Sequence, residues 1–205
     1  MKKRIILLFV LLTFVLVCLT ACNNPSANDY QKINELLKKD YSKVTVVVST
    51  KTDVATLIGN FTLTFDNGAT NVDYKFDKLN TFETDTDGNI GNADGNFIVS
   101  VEGSAVVREG LIVEGDAAVD LPLDQLNISG LSFKQAFFRN ATLKNAKFEA
   151  DVTSPQKFTG NDALVCTDMH VVVVRNTNSD TLTSIEITYT SENGAAVKIN
   201  YVFTK

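Results

Sequence analysis

The strongest constraint on this chain is a set of strand-length segments in which apolar residues occupy every second position. Val44, Val46 and Val48 open the pattern, Leu57, Phe61, Leu63 and Phe65 continue it, and Val72, Tyr74 and Phe76 follow. It returns at Phe97, Val99 and Val101, at Phe148, Ala150 and Val152, and in a closing pair, Ile185, Ile187 and Tyr189 with Val197, Ile199, Tyr201 and Phe203. Successive side chains of a strand point to opposite faces, so a period of two gathers each segment's apolar groups on one side. Thr56, Asn60, Thr62 and Thr64 make the other side of the second segment polar. Turn residues separate the segments at Ser49–Asp53, Asp66-Asn67-Gly68, Ser154-Pro155 and Ser191-Glu192-Asn193-Gly194. A mainly β (α+β) chain follows, with an antiparallel sheet covered on one face. Val106 to Val113 predicts a further strand broken at Gly110, and Leu164 to Val174 a nearly continuous apolar strand, central and covered on both faces.

Helical segments able to cover such a face are few. Asn28 with Gln31 resembles a capping box, and Tyr30, Ile33, Leu36 and Leu37 fall on one face of a helix running to about Lys39. In the irregular middle, Asp116 to Asn145, Pro122 to Leu126 predicts a helical turn. Ser132 with Gln135 predicts a second capping box, placing Phe133, Ala136 and Phe137 on a helical face beside Phe138. That middle reads either as core packing or as a cover over an apolar cavity. A single-layer sheet of about eight to ten strands has more apolar face than these helices can cover, so it must curl on itself or take a ligand. The expectation is a curved sheet or half-barrel covered by the N-terminal helix and the short central ones. Its pocket walls would be Leu57, Phe61, Leu63, Tyr74, Phe76, Ile187, Tyr189, Ile199 and Tyr201, with Phe133, Phe137 and Phe138 near the mouth.

Ahead of this domain, Lys2, Lys3 and Arg4 precede an apolar run, Ile5 to Leu19, too short to span comfortably a bilayer core that needs ~20 helical residues. The run ends at Leu19-Thr20-Ala21-Cys22, a branched apolar residue, two small residues and a cysteine. These residues resemble the lipobox of bacterial lipoproteins, which implies cleavage before Cys22 and acylation of its sulfur. Cys18 is the weaker candidate, because bulky Val17 stands where the motif has a small residue. The alternative is an ordinary cleaved signal or an uncleaved anchor. The organisation expected is a signal peptide over 1–21, a lipidated tether over 22–28 and one β-rich domain over 29–205. Acyl chains contribute about 0.8 kcal/mol per buried CH₂ and would hold that domain at an extracytoplasmic membrane surface. This is the outer face of the cytoplasmic membrane, or the outer membrane if the cell has one.

Loss of Lys2, Lys3 and Arg4 from 19 basic residues leaves 16 against 24 acidic, a net charge of −8. Such a surface disfavours nucleic acid and anionic lipid as partners of the folded body. Cys166 is then left without a disulfide partner and reads as a small buried apolar residue. His170, the sole histidine, lies inside the Leu164–Val174 segment and reads as a hydrogen-bonded core or wall residue. The Asp- and Gly-rich stretch 84–96 misses the EF-hand register, since a loop begun at Asp85 has Ile90 at position 6 and Asn96 at position 12. It reads as a solvated turn or an irregular cation site. No nucleophile elbow, zinc motif or phosphate loop is present, so no enzyme, metal or cofactor is expected.

Acylated cysteine, tether, amphipathic helix, one-sided strands, aromatic middle and closing hairpin together resemble the half-barrel lipoproteins of the LolA, LolB and LprG type. The resemblance implies a curved sheet around helices, with an apolar cavity that receives acyl chains. The expected function is a membrane-anchored binding protein for a lipid or other hydrophobic ligand, acting as carrier or sensor. The alternative is a structural or protein-interaction module of the cell envelope with no small ligand. The address generates its own test: Cys22→Ala removes the acyl mass and leaves residues 1–21 attached, both read from the mass of the intact chain, while Cys18→Ala leaves both unchanged.

Overall fold

The computed structural model describes residues 24–53, 55–66, 68–80, 82–84, 90–92, 98–109, 111–115 and 121–205. Leu19 to Cys22, Asn67, Phe97, Gly110, Asp116 to Asp120 and most of the 84–96 stretch lie outside the described residues. The chain runs α1 (Ala27–Leu37), β1 (Lys43–Lys51), β2 (Ala55–Asp66), β3 (Ala69–Asn80), β4 (Phe82–Thr84), β5 (Ile90–Asn92), β6 (Ile98–Arg108), β7 (Leu111–Gly115) and α2 (Leu123–Leu126). Two single 3-10 turns, Ile128–Gly130 and Gln135–Phe137, lead to β8 (Phe138–Lys144), β9 (Lys147–Val152), α3 (Pro155–Thr159), β10 (Cys166–Asn176), β11 (Thr181–Ser191) and β12 (Ala196–Thr204).

Ten strands form one antiparallel sheet in the order β7-β6-β3-β2-β1-β12-β11-β10-β9-β8. The sheet is two meanders joined where β1 pairs with β12, and no pairing among the described residues joins β7 to β8, so it is open. β4 and β5 pair only with each other. The cation-loop expectation thus meets a small hairpin, Phe82 opposite Asn92 and Thr84 opposite Ile90, whose tip is outside the described residues.

Register turns the period-two pattern into continuous apolar rows. Tyr74, Phe61, Val46, Tyr201, Ile185, Val173 and Phe148 are successive cross-strand partners from β3 to β9. All seven are buried. The next row is Phe76, Gly59, Val48, Ile199, Ile187, Val171 and Ala150. Opposed side chains of this kind are the unit of sheet stabilisation, at about 0.2–1 kcal/mol per pair.

The structure corrects the strand reading in two places. The strand expected around Val99 and Val101 runs on through Val107 as one long strand, β6, and the break expected at Gly110 falls between β6 and the short β7. Gly103 does not interrupt β6 because it lies opposite Tyr74, whose ring occupies its missing side chain's place: a Cβ there would sit 2.5 Å from the phenol oxygen. β10 is covered on one face only. Met169, Val171 and Val173 are buried, whereas His170, Val172 and Val174 are half-buried. β-branched residues suit a pleated strand on either face, so the valine run reflects strand preference and not two-sided burial.

Helix starts also differ. α1 begins at Ala27, with the Ser26 backbone N–H and hydroxyl both donating to Asp29 Oδ2 at 2.9 and 2.7 Å, and Asn28 lies inside the helix. Ser26 outcompetes Asn28 because Asp29, three residues on, can reach back to it. Tyr30, Ile33 and Leu36 are buried as the apolar stripe. No helix spans Ser132 to Phe138. The Ser132 N–H donates to the Phe158 carbonyl at 2.8 Å and the Phe133 N–H to Asn34 Oδ1 at 2.8 Å, so the start of the segment is tied to α3 and α1 and only the single 3-10 turn Gln135–Phe137 follows. Phe138 instead opens β8, which turns into β9 through Asn145 and Ala146, both at positive φ (50° and 64°) as a two-residue hairpin requires. α3 starts on Pro155 and stops at left-handed Gly160 (φ 70°), burying Phe158.

The core is densest where α1, α3 and the β8–β10 meander meet. Tyr30, Phe133, Phe138, Phe148 and Phe158 form one aromatic cluster, with ring centroids 5.2–5.9 Å apart. Tyr41 fixes α1 to the sheet, donating to the Leu36 carbonyl and accepting from the Leu182 N–H, both at 2.9 Å. Phe148→Ala is expected to lower stability by about 3–5 kcal/mol, against about 0.5 kcal/mol for Phe65→Ala at the half-exposed end of β2, read from urea midpoints. On the surface, hydrogen bonds from Lys32 and Lys39 hold Asp180 down from its ordinary 3.8 to about 2. A lowered carboxyl stabilises the fold above its ordinary value and loses that effect as pH falls through its folded one. The protection of α1 amides relative to their intrinsic exchange should therefore fall between pH 4 and pH 2, and Asp180→Asn should already show the lower protection at pH 7.

Candidate functional site

The segment from Leu121 to Leu131 crosses the apolar face of the sheet and is anchored by tyrosines. Tyr201 Oη, buried, donates to the Gln125 carbonyl at 2.7 Å, and Gln125 Nε2 donates to Tyr189 Oη at 3.3 Å. Burial drives both phenols above their ordinary range, Tyr201 furthest. They are therefore neutral hydrogen-bonding groups at physiological pH.

Three clefts open around the segment. The first, about 350 Å³, lies between α2, the α3–β10 loop and the β11–β12 face, with Ile187, Tyr189, Ile199 and Tyr201 as floor and Leu121, Leu131 and Leu164 as walls. Asp124 and Asn161 stand at its rim, joined by an Asn161 Nδ2 to Asp124 Oδ2 hydrogen bond of 3.1 Å. The second, about 470 Å³, lies between α2 and the β2–β3 end, lined by Leu63, Phe65, Val72 and Leu126 with Glu109. The third, about 220 Å³, is lined by Leu57, Phe61 and Phe76 with Val48, Pro122 and Gln125.

The residues expected to wall one pocket are thus divided by the segment. Ile187, Tyr189, Ile199 and Tyr201 come together in the first cleft, Leu63 lines the second, and Leu57, Phe61 and Phe76 the third. Tyr74 is buried in the sheet row and lines none of the three. Phe133, Phe137 and Phe138 do not stand at a mouth. Phe133 and Phe138 belong to the aromatic cluster, and Lys134 lies over the half-buried Phe137 ring. Nothing in the sequence marked Leu121, Asp124, Gln125, Leu131, Asn161 and Leu164 as site residues: Asp124 and Gln125 fall in a predicted helical turn, Leu164 at the start of a predicted strand, and the others stand alone with no period.

His170 is a half-buried outer-face residue and not a core one. Its Nδ1 lies 3.0 Å from Asp151 Oδ1 and its Nε2 3.4 Å from Glu149 Oε1. Asp151 is the residue directly across on β9, so the pairing arises from register and is invisible to spacing. Lys147 chiefly, with His170, holds the Glu149 carboxyl below its usual range, and His170 and Asn140 do the same for Asp151. Among the described residues no group of three His, Cys, Asp or Glu side chains is placed to hold a metal ion. Cys166 is half-buried, and burial raises its thiol.

No protein-family model matches the sequence, and no curated protein matches it. Among solved structures, the erythromycin dehydratase is 10% identical over 80% of this chain and 73% of that one, with a TM-score of 0.21. The dehydratase domain from the terminal module of the rifamycin polyketide synthase is 13% identical over 79% and 74%, also at 0.21. At TM-scores this low the likeness carries neither a fold nor an activity to this chain. The anchoring of the segment is testable directly. Tyr201→Phe leaves the Gln125 carbonyl without its donor and is expected to cost about 1–3 kcal/mol in urea unfolding, with faster amide exchange confined to residues 121–131.

Proposed function

We propose that this chain is a lipid-anchored, extracytoplasmic half-barrel that binds a lipid or other acyl-bearing molecule in the cleft between α2 and the β11–β12 face. Cys22 is its membrane anchor, and α1 and the central segment are the cover of a curved sheet. The observation that carries the reading is the composition of that cleft: leucine and isoleucine walls over buried tyrosines, at a volume of about 350 Å³. This falls within the roughly 300–1,000 Å³ of ligand pockets, which join apolar walls to a few placed polar groups. Transfer of an alkyl chain there contributes about 25 cal/mol per Å² removed from water and needs no covalent chemistry.

The polar ties of Gln125 to Tyr189 and Tyr201 suit a cover that lifts as a unit when a chain enters. A second reading is favoured by a different observation. Val101, Leu111 and Val113, on β6 and the edge strand β7, are 45%, 69% and 49% exposed. Apolar groups at an open edge are what a docking module for another envelope protein presents.

Native mass spectrometry of the full chain, released from detergent micelles after purification from host membranes, separates the readings. Binding predicts a satellite mass of a lipid or fatty-acyl molecule that falls at least about fivefold in Leu164→Trp, where the indole fills the cleft. A single apo mass in the wild-type chain would sink the proposal. Introducing a charge at the exposed face of β7 by Leu111→Glu should leave the satellite mass in place.

A further inference from the structure

We infer that the cleft takes a neutral or cationic amphiphile and discriminates against an anionic one. The inference rests on the reading of this cleft as a lipid site and adds the chemistry of the head group. Among the described residues its lining holds one charged side chain, the Asp124 carboxylate, and no Lys, Arg or His. Asp124 is exposed at the rim, where the head of a chain inserted over Ile187 and Ile199 would rest. Its hydrogen-bond partner, Asn161 Nδ2, is neutral, and none of the ion pairs among the described residues includes it. The negative charge therefore faces the rim uncompensated.

The hydrogen-bonding groups deeper in the cleft do not offset it. The Tyr201 proton is committed to the Gln125 carbonyl, and Tyr189 Oη already accepts from Gln125 Nε2, which leaves the Tyr189 hydroxyl proton as a donor for a ligand. A single phenol donor suits a hydroxyl, ester or amide. A carboxylate or phosphate would lose water without gaining a cation and would face a like charge. Asp124 also lines the second cleft, whose other charged lining residue is Glu109. Among the described residues, the charged groups that a head group meets on either side of α2 are thus acids, in keeping with the −8 net charge of the chain from Cys22 onward.

The test uses the full chain in phosphatidylcholine nanodiscs and three photoreactive alkyl-diazirine probes of equal length, ending in an amine, a hydroxyl or a carboxylate. Labelling of the peptides bearing Leu121–Leu131 and Leu164 is read by mass spectrometry. Amine and alcohol probes are expected to label them about tenfold more than the carboxylate probe, as repulsion of about 1.4 kcal/mol gives. Asp124→Asn should bring the carboxylate up to the alcohol, and Asp124→Lys should place it above the amine. Equal labelling by all three in the wild-type chain, or a ratio that Asp124→Asn leaves unmoved, overturns the inference while preserving the binding reading. Labelling by none of the three overturns the binding reading and the inference with it.

Discussion

The whole structure depends on the pairing of β1 with β12. Nine residues on each side are in register, from Lys43 opposite Thr204 to Lys51 opposite Ala196, so the first strand and the last lie together at the middle of the sheet. Val44, Val46 and Val48 meet Phe203, Tyr201 and Ile199, all buried. Without this seam the chain would be two separate meanders, each exposing half of an apolar face. It is also the contact with the longest loop to close, and loop closure is a cost met before such contacts stabilise anything. The folding transition state should therefore be limited by this pairing and not by the local hairpins.

The two halves are covered unequally. On the β8–β11 side, α1, α3 and the Phe133 segment bring five aromatic rings together, and Asn34 clamps the Phe133 backbone with hydrogen bonds of 2.7 and 2.8 Å in both directions. On the β2–β7 side, Phe61, Leu63, Val72 and Tyr74 are buried, but Leu57, Phe65 and Val101 are 43–49% exposed. The Leu121–Leu131 segment lies across the boundary, and the clefts are what its narrow width leaves uncovered. A cover held by two tyrosines and a glutamine is also the kind of layer that can open at less free energy than a helix packed on rings. The clefts thus have one origin, a sheet wider than its cover.

Much of the architecture was legible. Period-two apolarity marked most of the strands, because a strand's two faces alternate regardless of what surrounds it. The hairpin signal at Asn193-Gly194 was equally local. The role of Gly103 carried no such local signal, because only the neighbouring strand shows that the Tyr74 ring fills its place. The Ser132–Gln135 cap failed for a similar reason, since the Phe158 carbonyl takes the Ser132 amide that the Gln135 side chain would have capped. Of the site, the Ile187, Tyr189, Ile199 and Tyr201 floor could be read from two adjacent strands, while Asp124, Asn161 and Leu164 could not.

By itself, the sequence determined that this is a mainly β chain with one apolar sheet face, little helix to cover it and a net acidic surface. Those properties follow from alternation and composition, which do not depend on contacts. Tertiary structure alone decided that β1 joins β12, that His170 sits between Asp151 and Glu149, and that the expected pocket is divided by the segment carrying Asp124. Each of these is a meeting of residues distant in the chain or across a register. Such meetings are set by which packing leaves the fewest apolar groups and backbone amides without partners, a property of the assembled sheet and of no segment in it.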